Sequence, residues 1–187
     1  DSLWVDDSIY YITSIGYDAA TNFETNLATA IVICDFTRPT SRVTSHPDNS
    51  FRKNLAMISG TCADANTNAS GASKVEVAVK RLNDNQWWGG WSNPGFNLAD
   101  PPSPDSLRWS TGTIISGGVA WSTWTYAIAS SAWTDTTSYW VISRVQDRAT
   151  NYETGWSTNT FTCDTTPPDS GVTTPGDTSQ NNVQYIT

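Results

Sequence analysis

The segment Lys74-Val75-Glu76-Val77-Ala78-Val79-Lys80 alternates apolar and polar residues with a period of two. That is the pattern of a strand with one face in a core and one face outward. Similar short runs predict an edge strand near residues 42–45 and further strands near 55–62, 86–88, 121–129, 138–145 and 158–163. Asn83-Asp84-Asn85 reads as a turn into Gln86-Trp87-Trp88, and the stretch 147–151 reads as the turn joining the last two strands. No stretch holds a 3.6-residue apolar period long enough for a helix. Seven or so short strands at this spacing predict an all-β fold, an antiparallel β-sandwich.

The same pattern occurs twice. Laid over one another at an offset of 129 (133 − 4), the stretches beginning at Trp4 and Trp133 agree at roughly 18 of about 42 positions. The matches include Asp18/Asp147, Asn22/Asn151, Glu24/Glu153, Cys34/Cys163, Asp35/Asp164 and Pro39/Pro168. After a one-residue slip, Asn54-Leu55 falls over Asn182-Val183. A tandem repeat of about 128 residues follows. The polar, proline-ended stretches CDFTRP and CDTTPP mark its joints. Residues 1–37 are then the C-terminal strands of a preceding unit, 38–166 a complete unit, and 167–187 the N-terminal strands of the following one. The whole protein is expected to be longer, with neighbouring repeats of the same chain as partners.

Composition narrows the function. The chain has 187 residues, a formal net charge of -8, and only 10 Lys and Arg. That is a poor match for nucleic acid, whose phosphates need cations to neutralise them. The longest apolar run, near residues 28–34, is far short of the ~20 residues a membrane-spanning helix needs. One histidine, His46, stands beside Pro47 in a polar stretch and is expected to be exposed. No metalloprotease, nucleophile-elbow or P-loop motif occurs, and Glu24 and Glu153 sit just past a turn, where a structural role fits better than acid–base work. The chain is not expected to be an enzyme.

The segments ISGTCAD (58–64), WWGGW (87–91), WSTWTY (121–126), YWVISRVQDRATNYE (139–153) and CDTTPP (163–168) resemble bacterial Ig-like repeats of large surface proteins. The resemblance implies Ig-like sandwiches stacked into an extracellular adhesin, stalk or fibre at the cell surface. Cysteine at 34, 62 and 163 departs from that family's pattern, which has small or aromatic residues there.

With strands alternating in direction, Cys62 falls near the pole where the chain enters the central unit, and Cys163 falls at the opposite pole. Cys34 ends the preceding unit and so faces Cys62. A Cys34–Cys62 disulfide stapling the joint is expected, with Cys163 bonding to a following repeat. Buried free thiols are the plain alternative, and a Cys62–Cys163 bond is disfavoured by the distance between poles. Such bonds persist in an oxidising, extracellular setting.

The same alternation gathers Asp35, Asp64 and Asp147 around one joint, with Asn66 and Asn151 nearby. Carboxylates and carbonyls are what Ca²⁺ requires, although D-x-A-x-N is also an ordinary Asx-turn sequence. Calcium is the one cofactor the sequence admits. Ten tryptophans are many for so small a protein. Adjacent Trp87 and Trp88 must point to opposite faces of a strand. Together with Trp91 they are candidates for stacking on cell-surface glycans or for lateral contact between parallel fibres. The proline-rich insertion from Gly89 to Ala120 is the kind of long loop that carries function, and plain cover for the sheet is its simplest role. The sequon at Asn68 marks a candidate glycosylation site in a loop expected to be exposed. A structural fibre segment is the leading reading, and an array of carbohydrate-binding modules is the rival.

Overall fold

The computed structural model of the chain describes residues 3–103, 105–117 and 121–172. It is all-β, with twelve strands and two short 3-10 turns (Asp105–Arg108 and Ser130–Ala132) among the described residues. The strands are β1 (Ser8–Ser14), β2 (Ala28–Cys34), β3 (Thr40–Val43), β4 (Ser50–Arg52), β5 (Met57–Ala63), β6 (Ala72–Arg81), β7 (Gln86–Trp88), β8 (Phe96–Leu98), β9 (Ser110–Gly117), β10 (Trp121–Ala127), β11 (Thr137–Asp147) and β12 (Ser157–Cys163). Among the described residues, no helix is long and apolar enough to cross a membrane. The strands expected over residues 173–187, and Pro104 and residues 118–120 of the insertion, lie outside the described residues.

Strands β1 and β2 form a two-stranded sheet. The other ten form one sheet, ordered β3-β5-β10-β9-β6-β11-β12-β4, with β7 and β8 appended at β6. The sheet curls over on itself, bringing β3 against β11 and β12. Strand β9 joins the two halves by pairing with both β10 and β6. Pairing is antiparallel throughout the ten strands except between β4 and β12, which run parallel.

The alternation in β6 is realised: Val75, Val77 and Val79 enter a core with Ile58, Trp124, Tyr139, Val141 and Phe161. Gly60 is fixed by close approach. Trp124 stands opposite it in the β5–β10 register, and a Cβ on Gly60 would lie 1.9 Å from the Arg42 carbonyl oxygen and 2.3 Å from the indole. The supposedly outward face of β6 is buried as well. Ala78 sits in a second apolar cluster with Trp87 and Ile142, and Glu76 and Lys80 are buried beside it. Insertion residues cover this face in a run of stacked cations and rings. Arg144 lies 4.0 Å from the Trp109 ring, Arg108 4.8 Å from Trp87, and Lys80 5.3 Å from Trp140. Each cation has its acid: Arg144 pairs with Glu76, Arg108 with Asp105, and Lys80 with Asp100.

Two parts of the chain are built alike. Ser8 pairs with Cys34 as Thr137 pairs with Cys163, each 129 residues on. The Asp6 carboxylate accepts from the Phe36 N–H and the Thr37 hydroxyl at 2.6 and 2.7 Å; Asp135 accepts from Thr165 and Thr166 at the same distances. These hydrogen bonds, the chain N–H donors first, hold both carboxyls below their ordinary range. Trp4 meets Tyr10 edge-on at 4.7 Å, and Trp133 meets Tyr139 edge-on at 4.9 Å.

Candidate metal centre

Asp35 follows β2, Asp64 follows β5 and Asp147 ends β11. The structure brings all three together: carboxylate oxygens, one from each, lie within 4.8 Å of one another, and all three residues are buried. Asp147 is held by its own turn. Its oxygens accept from the Asn151 N–H and side-chain amide, both at 2.8 Å, while Thr150 takes the left-handed backbone the turn requires. This is the Asx turn the sequence offered, and it coexists with the cluster instead of replacing it. The same Asn151 amide also donates to the Asp35 carbonyl at 2.9 Å. Asp35 Oδ2 accepts from the Ser70 N–H at 2.7 Å.

Asp64 is different. It is fully buried, Oδ2 accepts from the Gly71 N–H at 2.8 Å, and Oδ1 has no hydrogen-bond partner. Burial raises its carboxyl above the ordinary value; the Gly71 bond opposes this, and the charges of Asp35, Asp147 and Asp6 add to it. None of the ion pairs among the described residues includes any of the three aspartates. The nearest arginine in sequence, Arg148, donates to the Ser70 carbonyl. Three buried carboxylates with an orphaned oxygen and no side-chain ion pair among the described residues suit a hard divalent ion, which takes oxygen ligands and tolerates irregular geometry when it is calcium. Each carboxylate oxygen that accepts one N–H keeps a lone pair for a metal.

The cluster sits where the β1–β2 hairpin docks. Asp7 Oδ1 accepts from the Asn68 N–H at 2.6 Å, and the Asp7 carbonyl accepts from the Asn68 side-chain amide at 2.8 Å. The expected exposure of the sequon is therefore corrected. Asn68 is half-buried, and the nitrogen a glycan would occupy is engaged in the joint.

The cysteines show the plain alternative, and the partner expected for Cys163 lies outside the described residues. Cys34, Cys62 and Cys163 are all free and buried, and the Cys34–Cys62 bridge is absent. Cys62 and Cys163 belong to the interior core. Burial, with the Glu153 charge adding to it, pushes the Cys62 thiol up to about 11, so it stays protonated and unreactive. Alternation along β5 turns Cys62 inward, and it lies two residues short of the joint at Asp64.

Trp87 and Trp88 do point to opposite faces, yet both are buried, which removes them as exposed platforms. Trp87 donates to Asp100 Oδ1 at 2.7 Å, and Trp88 donates to the Tyr126 hydroxyl at 3.0 Å. Of the three, Trp91 alone is exposed. His46 is also corrected. It is 1% exposed and packs edge-on to Phe161 at 5.0 Å, and burial lowers its pKa to about 4.

Glu153 acts as a clamp. It is buried and accepts from the Ser41 N–H at 2.9 Å, the Ser41 hydroxyl at 2.6 Å and the Val145 N–H at 3.2 Å, tying β3 to β11. Its equivalent, Glu24, is exposed and accepts from the Gly16 N–H. No signal in the sequence named Ser41 as its partner, because the two are 112 residues apart.

Searched against models of known protein families and against curated proteins, the chain matches none of them.

Proposed function

We propose that this chain is a structural segment of a long extracellular fibre or adhesin stalk at the cell surface, built from stacked Ig-like units of about 128 residues. On this reading residues 1–37 close one unit, 38–166 form a whole unit and 167–187 open the next. The joint between the first two is locked by a calcium ion. The observation that carries the reading is the carboxylate cluster. Asp35 comes from the hairpin that ends one unit, Asp64 and Asp147 come from the next, and they meet buried with one oxygen unpartnered. The repeated hydrogen bonds of Asp6 and Asp135 support the repeat, since the same contacts recur 129 residues on.

The mechanism is mechanical. Interfaces between stacked domains are small and polar, and such domains swivel by default. A cation bound by both units adds a second attachment beside the linker. It also neutralises carboxylates that otherwise repel one another, so the joint stiffens only when the ion is present.

Hydrogen exchange with and without chelator tests the lock. In calcium, the amides of Asn68, Ser70 and Asn151 are protected, and EGTA lowers that protection selectively relative to the β6–β11 pair. Equal protection in both conditions overturns the calcium lock. For the fibre, antibody raised against residues 38–166 is expected to label filaments on intact cells by electron microscopy. Antigen found only inside the cell refutes it.

A further inference from the structure

A second feature lies away from the joint, in the insertion. The turn at 89–92 and the segment 106–111 enclose a groove of about 410 Å³, within the ~300–1,000 Å³ range of small-molecule sites. Trp91 stands on its wall, 67% exposed, with no hydrogen bond or ring contact to any described residue. Trp109 also lines it, fixed from behind by Arg144 at 4.0 Å and by Trp156 at 5.3 Å.

The turn that presents Trp91 is tightly built. The Gly89 N–H donates to the Gly95 carbonyl at 2.9 Å, and the Asn97 amide donates to Asn93 Oδ1 at 3.0 Å. A Cβ on Gly89 would lie 2.3 Å from the Asn93 carbonyl oxygen. Gly90 takes φ +75°, and a Cβ there would lie 2.9 Å from Ser110 Oγ, so glycine keeps that hydroxyl open to the groove. The ring is thus held outward by a defined turn, and the ordering cost of presenting it is met by the fold.

The rest of the lining is uncharged. In a chain of net charge -8, no residue lining this groove is ionisable. Ser92, Ser106 and Ser110 line it, and none of their hydroxyls bonds to a described residue; Thr111 lines it too, on the opposite face of β9 from Ser110. A flat aromatic face, serines without hydrogen-bond partners and no net charge match one ligand chemistry. A hexopyranose has an apolar C–H face for the indole and hydroxyls at its edge for the serines.

We propose that this groove binds a neutral oligosaccharide, with a hexose ring stacked on Trp91 and its hydroxyls bonded to the surrounding serines. The site stands whether or not the units form a fibre. A fibre carrying it would bear one glycan contact in each unit that keeps the insertion.

Isothermal titration tests it, with cellohexaose, mannohexaose and chitohexaose as neutral probes and hexagalacturonate as the charged one. Saturable binding of at least one neutral probe is expected. Trp91→Ala should weaken it about tenfold or more, the loss of one stacking anchor. The melting temperature should move little, because the ring is 67% exposed and makes no hydrogen bond or ring contact to a described residue. Sedimentation of both proteins distinguishes the other occupant, a second copy of the chain. No saturable neutral binding, binding undiminished in Trp91→Ala, tighter binding of hexagalacturonate, or a Trp91-dependent dimer each overturns the proposal.

Discussion

Replacing Asp64 by Asn should change the sign of its effect with calcium. In chelator the native cluster holds like charges about 4.8 Å or less apart. At an effective dielectric of 20 each such pair costs roughly 3 kcal/mol, before water and protonation relieve it. Asp64 bears the largest share, since it is the most buried and one of its oxygens is unpartnered. Asn is nearly the same shape and keeps an acceptor for the Gly71 N–H, so it loses the repulsion and little packing. The variant should therefore be more stable than the native chain in EGTA, by about 1–3 kcal/mol, or about 2–10 °C in melting temperature for a chain of this size. In calcium the order reverses. The native chain gains by mass action, about 2.7 kcal/mol when the ion stands at 100 times its dissociation constant. The variant, one charge short, gains much less. Thermal unfolding followed by circular dichroism in the two buffers reads both numbers. A variant less stable than the native chain in EGTA, beside a native chain indifferent to calcium, would refute the account of the cluster as a strained cation site.

Three other perturbations test the fold. His46 is neutral and buried with a pKa near 4, against about 6.5 unfolded. The unfolded state therefore binds the extra proton as pH falls, and stability drops by up to about 3 kcal/mol between pH 6.5 and 4. Urea unfolding across that window should show the slope, and His46→Leu should flatten it. Gly60→Ala places a methyl against the Arg42 carbonyl and the Trp124 ring and should cost about 3 kcal/mol or more by denaturant titration, as overpacking does. Glu153→Gln turns one acceptor of the β3 clamp into a donor facing other donors, at about 1–3 kcal/mol, while Glu24→Gln, on the exposed equivalent, should leave the unfolding midpoint unchanged.

The carboxylate cluster was legible because its information is local. Alternation along β5 and β11, together with the reversal of direction at each turn, is enough to put Asp64 and Asp147 at one pole. The 129-residue offset adds Asp35 by marking where the hairpin ends. The Asx turn at Asp147 is likewise a property of five consecutive residues. Strands β4, β8 and β9 were not legible. Ser110–Gly117 is mostly Ser, Thr, Gly and Ile without a clear face, because β9 bridges two halves of a curled sheet rather than lining one.

Periodicity records which residues of a strand share a face. It does not record what later covers that face. Glu76 and Lys80 read as outward residues, and they are outward from the main core. They are buried because the insertion folds back over β6, and the same cover hides Trp87. His46 reads as a loop residue, and Phe161, 115 positions on (161 − 46), decides that it is interior. The engagement of Asn68 by Asp7 and the choice of Ser41 as partner to Glu153 are decisions of the same kind. A strand's own sequence sets its period and its turns through local sterics and hydrogen bonding. Burial of its second face depends on contacts with segments tens of residues away or more, and these exist only once the chain has folded.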